Sequence, residues 1–218
     1  MCDLHDHAFR VTGRDEWFLD TQLLRSFIGD VRAAIAASAS PQEACARIEP
    51  GFSRLLADPG WLPDSLACDA PESGMGGGIG QWLLFRSGDG MLSLFTLVVP
   101  AGEQTPVHDH LAWGLIGLYR GLQDEDVYAL DEGGRARHVR SQQVAPGDFF
   151  ALIPPDGDIH RVRTTSTETS VSIHLLTNDV GCIWRHRFDA ASGAASPFRS
   201  GYVNAPCEDE EEEVAHVR

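Results

Sequence analysis

Nine histidines occur in the 218 residues, and four of them form two His-Asp-His triplets, His5/His7 and His108/His110. Imidazole nitrogen is a good ligand for divalent transition ions. Alternate residues of an extended chain face the same way, so either triplet has the spacing to chelate one ion. Context separates them. His5 and His7 belong to a short polar terminus without a scaffold and read as tail. His108 and His110 lie in GEQTPVHDHLAWGLIGLYRG, with Gly102 ahead of the pair and Gly121 behind it. His160 closes a second stretch, PGDFFALIPPDGDIH, which reads as a turn, an apolar strand and another turn. Two ligands on one strand and a third across a small barrel make a facial three-point site. Spacing alone does not choose the ion, because iron, zinc, nickel and manganese all suit imidazole.

The barrel has to come from the chain after residue 80. Short runs rich in Val, Ile, Leu, Phe, Trp and Thr recur there at 82–86, 91–99, 113–120, 125–130, 147–153, 160–165, 169–176 and 181–188. Gly, Pro and Asp punctuate them, which predicts antiparallel strands in a sandwich or barrel. Ahead of these runs, Phe18, Leu23, Phe27, Val31 and Ile35 recur at helical spacing between Trp17 and about Ala37. A second helix starts at Pro41 behind Ser40, with Pro50 breaking or kinking it. We divide the chain into a flexible N-terminus (1–15), one domain (16–205, helical over 16–57, barrel from about 80 to 205) and an acidic disordered tail (206–218).

Composition removes several functions. The formal net charge is −15, and six consecutive acids from Glu208 to Glu213 supply part of it, so a broad basic surface for nucleic acid or an anionic membrane is not expected. All 17 basic residues are arginine. Schiff-base chemistry, a lysine base and a phosphate-binding P-loop lysine are therefore excluded, and the glycines of residues 74–80 also miss the phosphate-cradling spacing. Five cysteines without a C-x-x-C pair read as reduced thiols in a cytosol, with Cys182 a small buried hydrophobe. No apolar run approaches 18 residues, and MCDLHDHAFR is not a signal peptide, so the expected location is cytoplasmic.

Gly102, His108, His110 and Gly121 resemble the first cupin motif, G-x5-H-x-H…G, and Pro155, Gly157 and His160 resemble the second, P-x-G-x2-H. The resemblance implies a mainly β fold, the cupin double-stranded β-helix (jelly-roll barrel) with N-terminal helices. The glutamate that many cupins carry shortly after the second histidine is missing; Trp113, Gly114 and Leu115 stand there. The asparagine that often follows the last histidine is replaced near Thr164. A three-histidine site without a carboxylate resembles the thiol dioxygenases, which include cysteine dioxygenase and the bacterial 3-mercaptopropionate dioxygenases. TPVHDHLAWGLIGLYRG, SVSIHLL, GCIWRHRF and SGYVN are all similar to segments of that branch, over about residues 75–205.

The resemblance implies one Fe(II) per chain on His108, His110 and His160, where a small thiol substrate and O2 react to give a sulfinic acid. By the same resemblance, Ser172 and His174 match two members of a Ser-His-Tyr relay, but Leu176 stands where the tyrosine should be. The site also offers no partner for a Cys–Tyr cross-link. Arg185 matches an arginine that receives the substrate carboxylate, and Gln81 falls where the mercaptopropionate type carries a glutamine; each also suits an ordinary polar position. Arg161 and Arg163 read as surface, and Trp113 suits a pocket wall or the core equally. A cupin that binds metal without oxidation, as a sensor, isomerase or degenerate relative, is the alternative, and oligomeric state is left open. Deleting residues 1–10 is expected to leave metal stoichiometry unchanged by elemental analysis. Loss of the ion would mean that His5 and His7 are the ligand pair.

Overall fold

A computed structural model of the chain describes residues 13–70 and 74–207. His5, His7 and the acidic run lie outside the described residues. Two helices come first. Helix α1 spans Gln22–Ala36 and begins where the Thr21 hydroxyl accepts the Leu24 N–H at 3.2 Å. The expected start at Trp17 is therefore too early: Glu16–Trp17 form a short strand, β1. The Trp17 ring packs on Phe85 at 4.4 Å between centroids, so its apolar character serves a sheet rather than a helix face. Helix α2 spans Pro41–Ala57, capped by Ser40, whose hydroxyl accepts the Glu43 N–H, while the Glu43 carboxylate accepts the Ala39 N–H. Pro50 does not break it. The proline faces outward, and Ala44, Ile48, Phe52, Leu55 and Leu56 on the other face hold the helix by burial.

The remaining strands are β2 (Gly80–Arg86), β3 (Ser93–Val99), β4 (Val107–His108), β5 (Gly114–Arg120), β6 (Gln123–Leu130), β7 (Ala136–Val144), β8 (Phe149–Leu152), β9 (Ile159–Thr164), β10 (Ser170–Leu176), β11 (Arg185–Phe188) and β12 (Ala195–Phe198). They form two antiparallel sheets, ordered β1-β2-β3-β10-β5-β8 and β12-β11-β4-β9-β6-β7. From β3 onward the chain passes back and forth between the sheets, with β6–β7 as the one hairpin kept within a sheet before β8. That winding is the mainly β, double-stranded β-helix that the motifs imply.

Besides the two-residue β1 and β4, two strands are not visible as apolar runs. β7, ARHVRSQQV, is mostly exposed along its length, so its pattern carries no buried face, and β12 is the four-residue edge ASPF. The helices cover the outer face of the first sheet, where Phe52 meets Phe149 edge-on at 5.8 Å. Leu83, Phe95, Ile116, Leu152 and Leu176 form a separate apolar cluster. Full burial of side chains of this size contributes about 1.5–3 kcal/mol each.

The strand β5 runs close against β10. A Cβ at Gly114 would lie 2.0 Å from the Leu175 carbonyl oxygen, which is backbone and cannot swing aside. Gly114→Ala is expected to cost on the order of 3 kcal/mol, lowering Tm by roughly 6–12 °C in thermal unfolding. An unchanged Tm would mean the two strands separate at that point without penalty.

Candidate metal centre

The β4–β9 register places His108 directly opposite His160. His110 follows two residues after His108, where the chain leaves the strand. The three ring centroids stand 4.9, 5.0 and 4.8 Å apart, a near-equilateral triangle, and all three residues are buried. Each ring spends its Nδ1 on a fixed acceptor. His108 Nδ1 donates to Pro106 O at 2.9 Å and His110 Nδ1 to Asp158 O at 3.1 Å. His160 Nδ1 donates to the Glu125 carboxylate at 2.8 Å. Such acceptors set the tautomer with the proton on Nδ1 and leave Nε2 as the ligand atom.

The residues present fit a metal. His160 Nε2 is buried and meets no hydrogen-bond partner among the described residues, which is costly unless a ligand completes it. The candidate ligand atoms lie within 4.8 Å of one another. Two metal–imidazole bonds of about 2.0–2.1 Å at roughly a right angle span about 3 Å, so loading has to draw the rings inward. Three neutral nitrogens on one side leave coordination positions open for other ligands.

His174 comes from the opposite sheet, on β10. Its ring stacks on Phe95 at 4.8 Å and lies 6.4 Å from the His110 ring. Ser172 Oγ is 2.9 Å from His174 Nε2, and His174 Nδ1 meets no partner among the described residues. Leu176 is fully buried among Leu83 and Phe95, so this position adds packing rather than a hydroxyl. Gln81 is buried on β2, opposite Leu97, which in turn faces Ser172 across β10. Gln81, Leu97 and Ser172 thus form one cross-strand row next to the row of Leu83, Phe95 and His174. A small enclosed space of about 10 Å³ beside His160 is lined by Glu125, Ser172, His174 and Phe150, among others. It has room for about one water.

Arg185, on β11, is 3% exposed. Nη1 donates to Asp109 O at 2.7 Å, Nη2 to Ser200 Oγ at 2.7 Å and Nε to Val180 O at 3.3 Å. These acceptors are uncharged, and burial pulls the guanidinium down to about 10 despite the stabilising charge of Asp109. Three of its five N–H groups are used in this way, and the ring of Phe198 lies under the guanidinium at 4.6 Å. Its positive charge bears on His108, His110 and His174.

Other expectations fall elsewhere. Arg161 and Arg163 pair with Asp126 and Asp124 toward the barrel exterior. Trp113 packs against the core beneath the helices and lines a cavity of about 700 Å³ shared with Ile35 of α1, rather than walling the histidines. Cys182 is a correction: it is disulfide-bonded to Cys207, 25 residues away, and is not a free thiol. The C-terminal segment folds back over β2, with Val203 N donating to Gln81 O and the Asn204 amide pairing with both Leu83 backbone groups. That path brings Cys207 to Cys182, and nothing in the cysteine spacing announces it. Sequence reasoning also misses Glu125 and Asp158, which hold two of the ligands; each is an acid within an ordinary-looking strand or turn.

No protein-family profile matches the chain. Among solved structures it is similar to Peruvianin-I, a cysteine peptidase from Thevetia peruviana latex (18% identity, TM-score 0.34, 52% of this chain), spanning 58% of that protein's length. It is also similar to the cupin domain of Cnp3 from Schizosaccharomyces pombe, at 14% identity and TM-score 0.38 over 50% of this chain and 67% of that one. A double-stranded β-helix protein from Klebsiella pneumoniae matches at 12% identity and TM-score 0.39, over 54% and 89% of the two chains. Among the described residues no helix is long and apolar enough to cross a membrane.

Burial sets the pH response of the metal-free protein. It is the largest cause holding His108, His110 and His174 below the usual 6.5, with neighbouring rings and Arg185 adding to it. A ring whose folded pKa lies below its unfolded value favours folding while neutral. That stability is complete above about pH 6.5 and is lost as pH falls from there toward the folded values. Denaturant midpoints of the metal-free protein should therefore drop between about pH 6.5 and 5, ahead of the carboxylate range. A flat profile over that interval would show that the rings are not held neutral by the fold.

Proposed function

We propose that the protein is an iron-dependent thiol dioxygenase that converts a small mercapto-carboxylate and O2 into the sulfinic acid, with both oxygen atoms entering the product. The observation that carries this reading is the pairing of two buried features whose charges act on one another. A three-imidazole centre without a carboxylate ligand stands beside a buried arginine whose direct acceptors are all uncharged. Fe(II), when bound by His108, His110 and His160, supplies a Lewis acid that ionises the thiol and a redox partner for oxygen.

The chain's own residues do the rest. Arg185 is the cation that meets the substrate carboxylate, since a buried guanidinium gains most from an anion in a fork geometry. Gln81 is neutral and hydrogen-bonds without adding charge, which suits an acid lacking the amine of cysteine. His174, steadied by Ser172 and Phe95, offers Nδ1 to a ligand. The apolar walls exclude water, so the far end of the thiol is fixed while its sulfur reacts. One observation favours a second reading, a metal-binding cupin that does no oxidation. Leu176 fills the position of the relay tyrosine with a buried aliphatic side chain.

The test is steady-state oxygen uptake by the iron-loaded protein with 3-mercaptopropionate and with L-cysteine. The acid without the amine is expected to turn over faster. Arg185→Lys keeps a charge but loses the fork, and Arg185→Ala loses both. The alanine variant is expected to lose about ten- to a hundredfold in kcat/KM, as a charge-assisted contact of about 1.5–3 kcal/mol implies, with iron content retained. Equal kinetics in all three proteins would remove Arg185 from the site. No uptake with either thiol would favour the non-oxidative reading.

A further inference from the structure

We propose that Glu125 is the positioning residue of the metal centre, a buried carboxylate that orients His160 and places the centre's balancing negative charge one bond beyond the ligands. The proposal rests on the metal-binding part of the proposed function and not on thiol oxidation.

The three ligand rings are not held alike. His108 leans on a backbone carbonyl. His110 leans on the Asp158 carbonyl; the Asp158 carboxylate, 3.3 Å from Nδ1, also accepts the backbone N–H groups of His110 and Leu111. Among the described residues only Glu125 directs a carboxylate oxygen at a ligand ring at 2.8 Å, and it does so from the neighbouring strand. On β6, Glu125 is registered with Val162, two residues along β9 from His160, so the contact is a cross-strand diagonal set by pairing. Its second oxygen accepts Gln142 Nε2 at 2.5 Å from β7. The carboxylate is thus gripped from both sides while its side chain is 1% exposed.

Neither direct partner carries a fixed positive charge. A carboxylate buried this way is costly unless a cation compensates it. Three neutral imidazoles present the opposite imbalance, because they leave a divalent ion with its whole charge. The two imbalances cancel through the His160 ring, and such outer partners raise ligand basicity and fix ring orientation. The carboxylate absent from the ligand set is in this way present behind it.

The probes are Zn(II) and Co(II), titrated by chelator competition into metal-free protein, with the Co(II) visible spectrum as a second readout. Glu125→Gln keeps the size and an acceptor but removes the charge. It is expected to weaken both ions about 10- to 100-fold and shift the Co(II) bands, while the metal-free Tm is retained or rises. Glu125→Asp, which keeps the charge, is expected to recover part of the affinity and serves if the glutamine variant does not fold. Affinities and spectra equal to wild type in both variants would overturn the role of Glu125. A lower metal-free Tm with unchanged affinity would also overturn it, in favour of a packing role. Wild-type protein that binds neither ion would overturn the metal centre itself, and the proposed function with it.

Discussion

Burying several imidazoles at van der Waals distance is unfavourable unless each has one nitrogen satisfied and the other in use. The centre of this protein depends on the first half of that condition. Pro106 O, Asp158 O and the Glu125 carboxylate each accept the Nδ1–H of one ring. That choice leaves three lone pairs facing one point. The acceptors are themselves fixed, two by backbone turns and one by strand pairing, so ring orientation follows from the register of β4, β9 and β6. A one-residue slip in any of these strands would turn its side chains to the other face and dissolve the arrangement.

Charge is arranged around the same point. Burial holds His108, His110 and His174 below the usual imidazole range, an arginine cation lies on the β11 side, and a glutamate carboxylate lies on the β6 side. Within a low-dielectric interior such opposed charges act strongly on whatever enters between them. An anion would be drawn to the arginine end, and a divalent ion would be balanced from the glutamate end. Phe95, Phe150 and Phe198 supply the apolar surroundings that keep this field unscreened.

The candidate ligands are legible in the sequence because their chemistry is local: His108, His110 and His160, which the fold brings together, stand out by residue type, short spacing and flanking Gly and Pro turns. The buried strands are legible for a related reason, since a strand with a core face shows apolar alternation. β7 lacks such a face, and the polar pattern ARHVRSQQV gives no signal even though it forms the longest strand among the described residues. Glu125 and Asp158 are hidden because their importance lies wholly in which neighbour they meet. The DED of residues 124–126 reads as solvated charge; Asp124 and Asp126 do face arginines at the surface, but Glu125 turns inward. The Cys182–Cys207 bond is hidden likewise, because only the return path of the C-terminal segment brings the two thiols together.

The placement of β10 carries a consequence for how the molecule comes into being. This strand lies between β3 and β5, both made much earlier in the chain. Until residues 170–176 are synthesised and inserted, the first sheet has a gap at its centre, and Phe95 has no ring to stack upon. Pairings this distant in sequence make assembly slow, because loop closure has to precede the contacts that reward it. A growing chain on the ribosome therefore displays His108 and His110 well before it can enclose them, and enclosure is among its last acts.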